Sequence, residues 1–430
     1  MDQQSTATLI LLGLFLFLMF LRVPIAFALG LSSLATAIYL GIPTMVVAHR
    51  MVNGLNSFTF LAIPFFILAG QLMGEGGISD RLVRFADTLV GRMRGGLAQA
   101  NIVSSTMFGG ISGSSVADIA SIGSFLIPSM VRQGYRPGYA VSVTITSSVQ
   151  GVLIPPSQNM IYYALASGGI PLEKLFLAGY IPGIMLGGSL MLLCWFLAVR
   201  QGHPIGKRYG FRESIKVGLE ASIGLFTVVI IIGGILLGIF TATESAAVAT
   251  VYAVIVTRYI YRTMPLAKII FVLKQSLSTL ATVIAIIMTS SAFAFLLSYL
   301  EIPAALANMI FSLSSNPVLA MLAINLLLLF LGMLMDMGVL ILLLTPILLP
   351  IAMKIGVDPV HFGIIMMVNL GIGLCTPPVG TSLLVGCSIG KVSVERTVRE
   401  LVPFYLVMLV FLMLVTFLPD LSLFLPGMIE

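Results

Sequence analysis

Two stretches rich in Gly, Ser and Pro interrupt the apolar segments in the first half of this sequence. Residues 109–115 are Gly-Gly-Ile-Ser-Gly-Ser-Ser, and residues 150–157 are Gln-Gly-Val-Leu-Ile-Pro-Pro-Ser. Proline has no backbone N–H and clashes with the preceding helical turn, so the carbonyls just before Pro155 lose their helical partners. Among apolar surroundings, free carbonyl and hydroxyl oxygens that line an enclosed cavity suit a hard cation such as Na⁺. These stretches therefore predict a cation site.

The second half repeats this arrangement with one carboxylate added. Residues 332–338 are Gly-Met-Leu-Met-Asp-Met-Gly, and residues 371–381 contain Thr-Pro-Pro-Val-Gly-Thr. A carboxylate in an apolar membrane segment costs about 2.5 to 3.5 kcal/mol, so Asp336 should be paired or bound to a cation. The alternative is that Asp336 only caps the following half-helix. The same two alternatives hold for Asp118, whose side chain either has a functional role or only accepts a hydrogen bond from a neighbouring amide.

Helices that restart after these interruptions would point their N-termini at one region of the molecule. Helix N-termini present free N–H groups and partial positive charge, which favours an anionic group such as a carboxylate. Small polar residues could add hydrogen bonds to this substrate, although such residues in membrane helices also serve helix packing. The candidate substrate contacts are Ser112, Gly113, Ser157, Asn159 and Thr381.

The composition places these residues in a membrane. Of the 430 residues, 59% are hydrophobic and 9% are charged, and the mean hydropathy is +1.11. We predict an all-α polytopic membrane protein, because apolar runs long enough to cross about 30 Å of hydrocarbon recur along the chain. Ten crossings are predicted near residues 8–21, 23–41, 58–73, 139–166, 176–199, 219–238, 244–261, 279–298, 361–388 and 403–420.

Four further segments do not fit a simple crossing. Residues 97–131 and 317–353 are interrupted midway, and we predict that each forms a helical hairpin that enters and leaves on one side. Residues 44–56 and 264–278 have apolar residues at helical spacing beside Arg50 or Lys274. Each of these is either an interfacial helix or an extension of the following helix.

The basic residues predict the orientation. They concentrate in loops near 81–94, 132–136, 200–216, 258–262 and 391–399, which the positive-inside rule assigns to the cytoplasm. Both termini should then be periplasmic, with Arg50 and Lys354 as exceptions on that side. Because the basic residues occupy short loops rather than one face, the net charge of +6 does not indicate nucleic-acid binding. The N-terminus lacks a basic n-region, so the first apolar run should be a retained helix.

The two halves are similar to each other at an offset of 222 residues. The matched residues are Gly110 with Gly332, Pro128 with Pro350, Gly134 with Gly356, Pro137 with Pro359, Gly151 with Gly373, Pro155-Pro156 with Pro377-Pro378, Gly168 with Gly390 and Glu173 with Glu395. Each half has five crossings plus a hairpin. Because five is odd, the second half starts on the opposite side of the membrane and is inverted relative to the first. We therefore predict two inverted repeats, at 1–216 (hairpin about 97–131, broken helix about 139–166) and 217–430 (hairpin about 317–353, broken helix about 361–388).

Function is narrowed by what the sequence lacks. Inverted repeats with discontinuous helices are a recurrent construction in secondary transporters, so the sequence predicts a transporter. It has no Gly-rich phosphate loop, so an ion gradient rather than ATP should drive transport. A self-sufficient Na⁺-coupled dicarboxylate carrier is the main alternative to a carrier with partner proteins. A channel fits broken helices in both halves less well, and no paired-carboxylate or Ser/His constellation suggests an enzyme.

These motifs resemble those of the large membrane subunit of tripartite ATP-independent periplasmic (TRAP) transporters. The marks are the block at 109–118, Leu-Ile-Pro-Pro-Ser at 153–157, Phe-Thr-Ala-Thr-Glu-Ser-Ala-Ala at 240–247 and Gly-Leu-Cys-Thr-Pro-Pro-Val-Gly at 373–380. The resemblance implies an elevator mechanism in the bacterial inner membrane, in which a transport domain slides against a scaffold and carries an organic acid, such as a sugar acid or C4-dicarboxylate, with Na⁺. It also implies two partners, a small four-helix membrane subunit and a soluble periplasmic substrate-binding protein.

The resemblance further implies two Na⁺ sites. The first would use Ser112, Ser114, Ser115, Gly151 and Val152. The second would use Gly332, Asp336, Gly373, Thr376 and Val379.

Overall fold

The computed structural model describes residues 3–206, 209–313 and 316–428, and this part of the chain is helical, with no strand. The predicted all-α class is confirmed. The helices up to residue 201 are α1 (Gln3–Phe20), α2 (Ile25–Tyr39), α3 (Thr44–Asn53), α4 (Ala62–Glu75), α5 (Ile78–Val90), α6 (Gly96–Ser112), α7 (Ser115–Asp118), α8 (Ser124–Arg132), α9 (Pro137–Leu153), α10 (Gln158–Ala166) and α11 (Leu172–Gln201).

The remaining helices follow residue 210. They are α12 (Phe211–Val228), α13 (Gly234–Leu236), α14 (Ala242–Ile255), α15 (Leu266–Tyr299), α16 (Ile302–Leu313), α17 (Pro317–Gly332), α18 (Met337–Lys354), α19 (Pro359–Leu374), α20 (Thr381–Gly390), α21 (Val394–Phe417) and α22 (Asp420–Leu423). The predicted boundary at 216/217 falls inside α12, so a helix connects the two halves.

Six described helices are long and apolar enough to cross a membrane. They are Gln3–Phe20, Leu172–Gln201, Phe211–Leu236 (α12 and α13 joined by a π-helical turn), Leu266–Tyr299, Met337–Lys354 and Val394–Phe417. The shorter apolar helices of 10–17 residues include α17, which is the first arm of the second hairpin, and α19, which corresponds to α9 of the first half. Each predicted broken helix is divided by its interruption into two shorter helices, α9 with α10 and α19 with α20.

The two candidate interfacial segments have different outcomes. α3 is a separate helix that ends at Asn53, before the turn that leads into α4. Residues 266–278 instead form the first part of α15, so the interfacial-helix alternative for 264–278 is wrong. At 34 residues, α15 is about 50 Å long and exceeds the roughly 30 Å of a bilayer core.

The first parts of the two broken helices form the centre of the molecule. Every residue of α9 from Gly138 to Leu153 is buried, and so is every residue of α19 from Val360 to Leu374. α6 packs on α9, and α17 packs on α19, while α11 and α21 contact both central helices. A second group is built on α15, which contacts α2, α3 and α4.

The loops divide between two ends of the molecule. Arg92 Nη2 donates to the Tyr209 carbonyl at 3.1 Å, the Arg81 guanidinium lies 3.7 Å from the centroid of the Tyr261 ring, and the Tyr135 ring lies 4.5 Å from that of His203. Loops rich in basic residues therefore meet at one end. At the other end, Gln4 Nε2 donates to the Leu300 carbonyl, and the His361 ring hydrogen-bonds Ser422. Both described termini therefore lie at the end opposite the basic loops.

Candidate functional site

The first predicted hairpin turns over two residues. α6 ends at Ser112, Gly113 adopts a left-handed conformation with φ of +60°, and Ser114 caps the helix that begins at Ser115. A Cβ atom on Gly113 would lie 2.5 Å from the Pro156 carbonyl oxygen, so only glycine allows this approach. The hairpin tip thus rests directly on the break of the first broken helix.

That break separates α9 from α10 at residues 154–157. Pro155 and Pro156 cannot donate to the carbonyls of Gly151 and Val152, which are four residues earlier. These two carbonyls therefore lose their helical partners, as the sequence predicts. The hydroxyl of Ser157 is buried and has no hydrogen-bond partner among the described residues.

Serine hydroxyls connect the first tip to both broken helices. Ser115 Oγ lies 2.6 Å from Ser148 Oγ of α9 and 2.7 Å from Ser382 Oγ of α20. Ser112 Oγ accepts from the Ser114 backbone N–H at 3.4 Å. The Ser115 hydroxyl thus lies within hydrogen-bond distance of two other hydroxyls, and the Ser114 hydroxyl accepts from the Ala117 N–H at 3.4 Å.

The second interruption lies between α17 and α18 and carries Asp336. The Asp336 carboxylate accepts from the Gly338 N–H at 2.9 Å, so Asp336 is the N-cap of α18. The same side chain also lines a cavity. The two interpretations of Asp336, helix capping and cation binding, are therefore compatible. One carboxylate oxygen can cap the helix while the other contacts a cation.

The second break, at residues 375–380, packs against this second tip. The Val379 N–H donates to the Met333 carbonyl at 3.1 Å. Gly332 and Gly373 bring α17 and α19 into backbone contact, since a Cβ atom on Gly332 would lie 3.2 Å from Gly373 Cα. The Thr376 hydroxyl donates to the Ile372 carbonyl at 2.8 Å, and the Thr381 hydroxyl is buried with no hydrogen-bond partner in the part of the chain that the structure describes.

A central cavity of about 580 Å³ lies where the two tips meet the start of α10. One wall carries polar residues of the tips and of α10, and the other carries hydroxyls of α15. These residues are Ser114, Gln158, Asn159, Tyr162 and Asp336, facing Ser278, Thr279 and Thr282.

The candidate substrate contacts are not all in this cavity. Asn159 lines it, whereas Ser112 lines a neighbouring cavity with Gln71 and Glu75. Gly113 packs on the first break, and Ser157 and Thr381 line neither cavity. Sequence reasoning missed Gln158, Tyr162 and the α15 hydroxyls, although the helical spacing of Ser278, Thr279 and Thr282 was a possible signal.

Asp118 is the other carboxylate of the interrupted regions. Its side chain is 1% exposed, and neither oxygen has a hydrogen-bond partner among the described residues. Of the two alternatives for Asp118, the one in which it accepts from a neighbouring amide is therefore wrong. A carboxyl group buried in this way must either be protonated or have a cation beside it.

Comparison with known proteins decides the family. The family described as "Tripartite ATP-independent periplasmic transporter, DctM component" matches residues 12–421. This chain belongs to that family. The TRAP resemblance of its motifs is thereby confirmed, and its relatives are transporter permeases.

Relatives match the TRAP chain over nearly its whole length. The protein YgiK of Salmonella typhimurium is 43% identical, covering 97% of each chain. The C4-dicarboxylate TRAP transporter large permease protein DctM of Rhodobacter capsulatus is 37% identical, covering 98% of this chain and 99% of its own. The sialic acid TRAP transporter large permease protein SiaM of Vibrio cholerae is 38% identical, covering 95% and 96%.

A solved structure shares the fold. The YdaH transporter of Alcanivorax borkumensis superposes with a TM-score of 0.60 at 14% identity, covering 85% of this chain and 86% of that one. At this identity the likeness concerns the fold alone.

Proposed function

We propose that this TRAP permease imports an organic acid together with Na⁺ through the central cavity. The observation that carries the proposal is the convergence of both hairpin tips and the start of α10, which follows the first break, on one cavity that holds the Asp336 carboxylate. A carboxylate in an apolar protein interior binds a cation readily, and restarting helices favour an anion nearby. Substrate and coupling ion would then occupy adjoining positions.

Two Na⁺ sites are proposed at the interruptions. The first would use the free carbonyls of Gly151 and Val152 with hydroxyls of the first tip. The second would use Asp336 with oxygens of the second break. Both sites supply oxygen ligands, which suit a hard cation. The proposed ligands are Ser112, Ser114, Ser115, Gly151 and Val152 for the first site, and Gly332, Asp336, Gly373, Thr376 and Val379 for the second.

The substrate is proposed to be an organic acid such as a C4-dicarboxylate or a sugar acid. Two relatives are named for C4-dicarboxylate and for sialic acid, which are both carboxylic acids. In the central cavity, Asn159 would donate to the substrate, and the hydroxyls of α15 would contact it from the opposite wall.

An elevator movement is proposed for the two hairpins and the two broken helices, with α15 and the helices packed on it as the scaffold. A recurring contact supports the two inverted repeats. A Cβ atom on Gly151 would lie 3.2 Å from Gly109 Cα, and one on Gly332 would lie 3.2 Å from Gly373 Cα. In each half, the first hairpin arm therefore packs closely on its broken helix, as parts that move together should.

The partners proposed are a small four-helix membrane subunit and a soluble periplasmic binding protein. The family is described as tripartite, and one relative is named a large permease. We place the chain in the bacterial inner membrane with both termini periplasmic, because the basic loops share the opposite end of the molecule.

Coupling can be tested by following sodium itself. Proteoliposomes that hold this chain and its small subunit would receive substrate-loaded binding protein outside, and entry of radioactive Na⁺ would be recorded. We expect substrate to stimulate Na⁺ entry, since coupling between two ligands is reciprocal. Substrate accumulation without Na⁺ entry would contradict Na⁺ coupling.

A further inference from the structure

Another cavity, the Arg50 cavity, adjoins the central cavity towards the end of the molecule that holds both described termini. Its volume is about 720 Å³. Residues of α3 and α15 form one wall, and the end of α10, Gly168, Leu342 and Pro346 form the other. Leu342 also lines the central cavity, so the two cavities are neighbours. The Arg50 cavity thus lies between the proposed scaffold and the elements proposed to move.

Arg50 is the unusual residue of this cavity. Its guanidinium lies over the Phe295 ring, 4.4 Å from the centroid, and makes no ion pair or hydrogen bond with the described residues. A cation–π contact holds a guanidinium in place while its N–H donors remain free. No acidic side chain of the described residues lines the cavity. A positive charge with unused donors therefore faces this space.

Ser290 provides a second, independent observation. Its side chain is 3% exposed, it lines the same cavity, and its hydroxyl has no hydrogen-bond partner among the described residues. A buried hydroxyl without a partner is unfavourable and is relieved when a polar ligand binds. Asn53, Ser57 and Ser291 make the remaining wall more polar.

We propose that the Arg50 cavity binds a carboxylate of the incoming organic acid before the acid reaches the central cavity. This inference rests on the proposed function. A guanidinium binds a carboxylate through two parallel hydrogen bonds, and Ser290 would donate a third. Because protein forms both walls, the cavity suits a small solute better than a lipid headgroup, whose acyl chains need an apolar surface.

Site-specific labelling tests this inference. Ser298 is exposed and lines the cavity, and the three native cysteines are buried, so Ser298→Cys provides a thiol for a polar thiol reagent. The probes are succinate and N-acetylneuraminate, each added alone with Na⁺ to the complex. We expect the transported acid to slow labelling, and Arg50→Gln to raise the half-protecting concentration about tenfold, as loss of a charge-assisted hydrogen bond should.

Matched variants control this experiment. Lys354→Gln removes the same charge at the same end, but Lys354 lines neither cavity, so protection should not change. Arg50→Lys and Ser290→Ala should raise the half-protecting concentration about threefold, and they replace Arg50→Gln if that variant does not fold. The inference would be overturned if the half-protecting concentration were the same for Ser298→Cys alone and for Ser298→Cys combined with Arg50→Gln, Arg50→Lys or Ser290→Ala.

Two further outcomes separate the possible failures. If phosphatidylglycerol nanodiscs, but neither acid, protect Ser298→Cys, the ligand is a lipid phosphate and the inference fails. If the wild-type complex accumulates an organic acid in a Na⁺ gradient without any protection of Ser298→Cys, the inference fails alone. If the wild type accumulates no organic acid, the proposed function fails as well.

Discussion

The Asp336 carboxylate combines two tasks that separate substitutions can distinguish. It caps α18 through the Gly338 N–H, and it faces the central cavity. Asp358 is also a helix N-cap, since its Oδ1 accepts from Val360 N–H at 2.8 Å, but it lines neither the central nor the Arg50 cavity. Asparagine is as good a cap as aspartate, so Asp→Asn removes the charge and keeps the cap.

We expect Asp336→Asn to lower uptake at limiting Na⁺ at least tenfold, because a neutral amide binds Na⁺ much less well than a carboxylate. Asp358→Asn should retain wild-type uptake. Initial uptake rates across a series of Na⁺ concentrations measure both. An unchanged Na⁺ dependence in Asp336→Asn would show that this carboxylate does not bind the coupling ion.

At the scale of elements, the interruptions were the most predictable feature. Pro155 and Pro156 have no N–H, and position 113 has a left-handed backbone conformation, which glycine adopts most readily. The breaks therefore follow from the local residue types. The continuity of α15 was not predictable in this way, since Lys274 and Gln275 also suit an interfacial helix. The α15 hydroxyls were missed because contact between distant segments depends on tertiary packing.

The close packing of α17 on α19 leads to a prediction about stability. A Cβ atom on Gly373 would lie 2.7 Å from Gly332 Cα, so Gly373→Ala should destabilise the protein by about 1–3 kcal/mol. Gly188 lies inside α11 with no atom within 4 Å of its Cβ position, so Gly188→Ala should leave stability unchanged or slightly increased. Thermal unfolding of the purified variants measures both, and equal melting temperatures would contradict the packing argument.

At the scale of the whole molecule, the charge pattern predicted which loops share an end. The contacts of Arg81 with Tyr261 and of Arg92 with Tyr209 place basic loops together, and Gln4 and Ser422 lie at the other end. The cavities were not predictable, because they arise between segments that the chain brings together only in three dimensions.

Sidedness can be measured directly in cells. Ser5 lies at the end with both termini, and Gln133 lies at the end with the basic loops; both are exposed, whereas the native cysteines are buried. In intact spheroplasts, a membrane-impermeant maleimide should label Ser5→Cys and spare Gln133→Cys. Labelling of Gln133→Cys alone would place the termini in the cytoplasm.

Uptake that depends on both an ion gradient and a partner protein tests the central claim most directly. Proteoliposomes with this chain and its small subunit would be assayed with and without an inward Na⁺ gradient, and with and without the soluble binding protein. We expect accumulation of the organic acid only when both are present. Accumulation without the binding protein would indicate a self-sufficient carrier, and accumulation without the Na⁺ gradient would contradict Na⁺-coupled transport.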